Sequence, residues 1–384
     1  MSLLTKKRAV LAKIESTYGV DPVPTGAANA MLVSNLSIAP IEASLVSRDL
    51  MRPYLGNSQN LLAETHVKID FEVEYVGSGV VGLAPAYDPL MLACGFSKAT
   101  STAALTINRT GSVATATLNA HGYAVGDKIV ISGATQPEYN GTMTITGVTT
   151  NTFDYAVTGT PATPATGAPV ATTQITYSPI SSSFQSCTIY YSVGQDSGGN
   201  SPLHKITGAF GSVDVSLTVK QIPKLKFSFV GIYNAPTDAA TPSVDFTAFM
   251  LPQIANTQNT PGFSLFGYSG NMESMNLSMG NDVQYITLIG AEYVKLLDRK
   301  PGGTLVFEAP TITGKDFFTL VKNTTSGALT INHGSKSGYK VNFAAQSVLL
   351  GNPSYQDSNA IQMLSAPFTC NPVNGNDELS FIMT

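Results

Sequence analysis

The sequence predicts an all-β protein of short strands with few, short helices, and two observations carry that prediction. From Val67 to Tyr75, Val67, Ile69, Phe71, Val73 and Tyr75 alternate with Lys68, Asp70, Glu72 and Glu74. Period two marks a half-buried antiparallel strand with one charged face. The second observation is composition. Only 12% of the chain is charged, it carries 34 Gly and 22 Pro and lacks Trp, and Thr, Ser and Val run throughout. That mixture suits many strands broken by Gly/Pro turns. At 384 residues the chain is long enough for two or three domains.

Taken in order, residues 1–66 read as an arm with few regular elements. A short amphipathic segment, Leu3 to Ile14, precedes a stretch where Pro22, Pro24 and Gly26 impose extended or turn structure. After the strand at Val67, Tyr87-Asp-Pro-Leu-Met-Leu predicts one or two helical turns, with Pro89 near the start and Gly95 as the stop. Residues 101–170 differ in texture: short strands at Ser112–Leu118, Lys128–Ser132, Thr142–Val148 and Thr152–Val157 are separated by polar turns. They predict a small β-sandwich inserted in a loop, closed by a Thr/Pro spacer at Pro161–Pro169, since lengthening a surface loop costs little. Strands are expected again at Ser186–Val193, His204–Phe210, Val213–Lys220 and Lys224–Tyr233.

A second unit repeats the first. Lys68-Ile-Asp-Phe-Glu-Val aligns with Thr304-Leu-Val-Phe-Glu-Ala, bringing Phe71-Glu72 onto Phe307-Glu308. The segment from His204 aligns with that from Gly338, and each unit closes on another alternating stretch, the second at Ala360–Phe368. The expected organisation is a first unit of residues 1–100 and 171–245, an insert at 101–170, and a second unit at 246–384.

Charge and cysteine content exclude several functions. A net charge of −4, with no basic cluster beyond Lys6-Lys7-Arg8, argues against electrostatic nucleic-acid binding. Three dispersed cysteines, Cys94, Cys187 and Cys370, suit a reducing cytosol rather than a disulfide framework. The first sixteen residues do not read as a signal peptide, and no apolar run approaches a membrane span.

Chemistry-bearing motifs fail on inspection. Gly77-Ser-Gly79-Val-Val-Gly82 spells a dinucleotide fingerprint, but its strand is charged on one face and Pro85 and Pro89 interrupt the helix it would need. Those glycines instead permit a tight loop. Glu72 and Glu74 could form a glycosidase pair, yet nothing raises either pKa or supplies a sugar platform. His66, His121, His204 and His333 lack ligand spacing, and no nucleophile elbow occurs. No catalytic residue, metal or cofactor is expected.

Several stretches resemble phage tail tube proteins of long, flexible-tailed phages: Lys13–Asn35, Ser44–Gly56, Phe71–Phe96 and Lys224–Asp238. The insert resembles small β domains found on phage structural proteins. The resemblance implies β-barrel-like units whose sheets join between subunits into rings. The rings would stack around a channel through which DNA passes without specific binding. It also implies a virion-tail location after synthesis in the host cytoplasm, with tail terminator, tape measure and tail-tip proteins as partners. If each chain holds two units, three copies would complete a pseudo-sixfold ring; a hexamer is the alternative. The face bearing Asp70, Glu72 and Glu74, with Glu308 as counterpart, is either an ordinary solvated sheet face or the channel lining, where acidic groups would repel phosphates. An adhesin or tail-tip protein that binds receptors or glycans through the insert is the competing function.

Overall fold

The computed structural model describes residues 2–384; Met1, where the first expected unit begins, lies outside them. The chain starts with β1 (Leu3–Ile14), α1 (Gly26–Asn29), β2 (Ala30–Met31), β3 (Ser34–Val46), β4 (Leu61–Glu74) and α2 (Asp88–Ala93). Next come β5 (Phe96–Ala104), β6 (Thr106–Thr110), β7 (Val113–Thr117), β8 (Lys128–Ala134), β9 (Gly141–Val148), β10 (Thr152–Ala156) and β11 (Gly167–Pro179). They are followed by β12 (Cys187–Gln195), β13 (Ser201–Thr218), β14 (Lys224–Tyr233), β15 (Thr237–Ala239) and β16 (Gly262–Leu265). The remaining elements are β17 (Met272–Ser278), β18 (Asn281–Leu288), β19 (Ala291–Arg299), β20 (Gly302–Glu308), α3 (Phe317–Lys322), β21 (Gly327–His333), β22 (Val341–Leu350), β23 (Ser354–Ser358), β24 (Ile361–Cys370) and β25 (Ser380–Met383). The fold is all-β, as the strand periodicity and turn content predict.

One pairing order occurs twice. In the N-terminal part β1 pairs with β12, β12 with β13, β13 with β14, β14 with β4, and β4 with β3. In the C-terminal part β16 pairs with β21, β21 with β22, β22 with β24, β24 with β20, and β20 with β17. All ten pairings are antiparallel. The two series join where β17 pairs with β13, Val215 opposite Leu277. Val213, Val215 and Leu217 are buried at this seam beside Met275, Leu277 and Met279. Their side chains belong to one core that also holds Phe71, Phe227, Phe229, Phe307 and Phe381. Burying such side chains is worth roughly 1.5–3 kcal/mol each, so the seam ties the two series firmly together.

The region from β5 to β11 stands on its own apolar cluster, with Ile107, Ile129, Ile131, Phe153 and Tyr155 at its centre. β5 and β11 pair along Phe96–Ala104 and Val170–Pro179 and lead into it like a stalk. Beyond them β6, β7, β10, β9, β8 and β11 pair in succession. The spacer expected at Pro161–Pro169 thus runs into a strand, because β11 continues from Gly167 as the returning half of the stalk.

Residues 1–66 are more regular than expected. β1 lies between β12 and β2, and its Val10, Leu11 and Ala12 are all buried. A strand covered on both faces loses its polar alternation, which removes the period-two signal. β13 is likewise one strand, not two. Its register shifts between Thr207 and Phe210, where Gly208 adopts φ +58°.

The helix α2 starts with Pro89 in its first turn and is followed by Gly95 at φ +81°. The glycines of the false fingerprint also have a steric reason. A Cβ on Gly77 would lie 2.3 Å from the Gly338 carbonyl oxygen, and the Gly79 N–H donates to that oxygen at 2.8 Å. The loop is a backbone-to-backbone contact, with no room for a nucleotide phosphate.

Candidate functional site

β4 presents Val67, Ile69, Phe71 and Val73 to the core and Lys68, Asp70, Glu72 and Glu74 to the opposite side. Its register extends that polar face across the sheet. Glu72 stands opposite Lys226, Glu74 opposite Lys224, and Asp70 opposite Ser228. β13 adds Asp214 and Ser216, β17 adds Asn276 and Ser278, and β20 adds Thr304. Glu72, Lys224 and Lys226, with these residues of β13, β17 and β20, line an open trough that crosses the seam, about 880 Å³ in volume; Asp70 and Glu74 are not among its lining residues. Its walls set Glu72 and Asp214 beside Lys220, Lys224 and Lys226, with the apolar side chains of Val215, Ile222, Ile254 and Leu277 between them.

Glu72 is held by three groups. Lys224 Nζ lies 2.7 Å from its Oε2, Lys226 faces it, and the Asn35 side-chain amide donates at 2.7 Å. The Lys224 hydrogen bond, more than any other favourable contact, keeps this carboxyl below its usual range. Glu308 sits at the matching register position on β20 and accepts from the Asn271 amide at 2.7 Å. Met363 occupies the position of Lys226, however, and Ile361 that of Lys224. None of the ion pairs among the described residues includes Glu308.

The two asparagines were missed by sequence reasoning. Each precedes its glutamate by 37 residues, and that shared spacing before a Phe-Glu pair was the available signal. No periodicity marks them, because each lies at the edge of its strand and reaches sideways to the neighbouring one.

The dispersed histidines stay apart. His66 stacks on Tyr285 and approaches Glu42 at 3.1 Å, whereas His333 is buried between Thr260 and the Gln253 carbonyl. Among the described residues, no three His, Cys, Asp or Glu side chains converge on a point. Cys94, Cys187 and Cys370 are all buried, and burial pushes each thiol pKa upward. No described helix is long and apolar enough to cross a membrane.

Two strand edges complete the site. β3 pairs only with β4, and β23 only with β24, so each leaves one row of backbone groups open among the described residues. Such edges are templates for pairing with another chain. Ile41, Leu45 and Val46 on β3, and Leu50, Met51, Tyr54 and Leu55 beyond it, are exposed. Apolar exposure on this scale marks an interaction surface.

No curated protein matches the chain. The family model described as phage tail tube protein matches residues 5–370, nearly its whole length and both series of strands. An all-β sheet with open edges and a mixed-charge polar face agrees with that match: the chain belongs to the phage tail tube protein family.

Proposed function

We propose that this chain forms the tail tube as stacked rings of three copies, each copy contributing two equivalent units to a pseudo-sixfold wall around a DNA channel. Family membership makes it a structural, self-assembling component of the virion tail. The ring, its symmetry and the channel are the further step. The observation that carries it is the doubled pairing order, with Asn35–Glu72 and Asn271–Glu308 repeated at one spacing. Two units per chain halve the number of copies needed for six. Ring closure removes lateral edges, while head-to-tail stacking has no natural end.

We assign the polar face of β4, β14, β13, β17 and β20 to the channel wall. Lysines compensate the acids around Glu72, so repulsion of DNA there is local and weak. Glu308 lacks that compensation and is the stronger candidate for keeping phosphates off the wall. Asp70 and Glu74 contribute on the same face. The apolar cluster of residues 105–171, which Val81 of the first unit joins through its bridge to Ile129, supports reading the insert as a domain carried outside the wall.

Native mass measurement of assembled rings tests the copy number: three copies are expected, and six would overturn the two-unit ring. Neutralising Asp70, Glu74 and Glu308 together should slow DNA ejection from assembled virions. Unchanged ejection would overturn the channel assignment.

A further inference from the structure

We infer that β3 of one copy pairs antiparallel with β23 of the next, in the register that β17 and β13 adopt inside each chain; the inference rests on the ring proposed above. The internal seam is the template. β17 holds to β20 as β3 holds to β4: Met275 stands opposite Leu305 and Asn276 opposite Thr304, as Ile38 stands opposite Ile69 and Ala39 opposite Lys68. The other side of the seam matches equally. Val213 is opposite Phe227 and Ser216 opposite Lys224 on β14; Tyr355 is opposite Leu364 and Ser358 opposite Ile361 on β24. β3 is therefore a β17 without its β13, and β23 is the β13 segment without its β17.

Exposure fits the missing partner. Val213 is 1% exposed at the seam, whereas Tyr355 in the matching position is 59% exposed and rests on Phe318 alone among aromatic neighbours. Met275 is buried, and its counterpart Ile38 only half-buried. Copying the seam register puts Ala39 opposite Ser358, as Asn276 is opposite Ser216.

Three features depart from the template. β23 ends at Ser358, with Asn359 turning at φ +54°, where Leu217 is still within β13. β3 shifts register against β4 after Ala39, where β17 runs on regularly along β20. Pro40 takes the place of Leu277, which faces Val215. The Met279 N–H donates to the Val213 carbonyl and the Val219 N–H to the Glu273 carbonyl, which makes Leu277–Val215 a hydrogen-bonded pair. Proline there forfeits one ladder bond, which a β-edge tolerates. It also blunts β3 against indiscriminate pairing before assembly. Pairing by strand addition supplies the remaining main-chain bonds.

The test is a double-cysteine variant, A39C/S358C, oxidised with copper phenanthroline after assembly. These positions match a non-hydrogen-bonded pair of the seam, where facing Cα atoms lie about 4.5 Å apart, within disulfide reach. Covalent links between copies are expected in this variant and not in A39C/Q356C, which is two residues out of register. The native thiols are buried and stay silent. Links in the shifted pair alone would overturn the register. Wild-type rings with neither pair linked would overturn the edge assignment while leaving the ring standing. Absence of wild-type rings would overturn both.

Discussion

Glu15 gives the most quantitative prediction. It follows β1 and its carboxylate is buried, where it accepts four hydrogen bonds. Ser186 Oγ and Thr188 Oγ1 donate at 2.6 Å each, and the Gly208 and Gly19 N–H groups at 2.7 Å each. It ties the end of β1 to the start of β12 and to the glycine at which β13 shifts register. In Glu15→Ala the two hydroxyls can rotate to other acceptors, but the two N–H groups are fixed by the backbone. A buried donor left unsatisfied costs about 1–3 kcal/mol, and the half-buried Gly19 N–H less than the buried Gly208 N–H, so the loss should be about 2–5 kcal/mol. Glu15→Gln keeps the shape and one acceptor oxygen but turns an NH₂ toward donors, and should lose about 1–3 kcal/mol. Exposed Glu138→Ala should stay within about 0.5 kcal/mol of wild type. Urea unfolding of unassembled protein at neutral pH, followed by circular dichroism, measures all three. A Glu15→Ala loss below about 1 kcal/mol would refute the claim that this carboxylate pins the junction.

Three further outcomes are expected. Ellman's reagent should label none of Cys94, Cys187 or Cys370 in the native protein at pH 8 and all three in denaturant, since each is buried; rapid native labelling would contradict this. Glu42 and Glu72 are held below their usual carboxyl values, first by hydrogen bonds from Lys68 and from Lys224. Their stabilisation is present above about pH 4.5 and is lost as pH falls through the lowered values. Lys224→Met should therefore flatten the acid limb of a stability–pH curve; an unchanged limb would count against the pairing. Phe153 packs edge-on against His121 and Tyr123 within the insert core, so Phe153→Ala should cost about 3–5 kcal/mol. Hydrogen exchange should locate the loss in β6–β10, with β4 and β14 still protected, and equal loss in β4 would tell against an independently packed insert.

The sequence alone determined the fold class, because half-buried strands such as β4 and β14 write their alternation directly into the chain. It pointed to the family through stretches in β4 and β14 and through Lys13–Asn35 and Ser44–Gly56, which precede β4. β1 was illegible because Ala9–Ala12 are covered on both faces, and β5 and β11 because stalk strands rich in Thr and Ala carry little apolar signal. The charges of Asp70, Glu72, Glu74 and Glu308 could be read, but not their surroundings. Only the tertiary structure brought Lys224 and Asn35 to Glu72 and Asn271 to Glu308. It alone decided register, since partners far apart in the chain meet through backbone hydrogen bonds that any residue but proline can make. For that reason the open edges of β3 and β23, and the seam that matches them, become visible only in the folded chain.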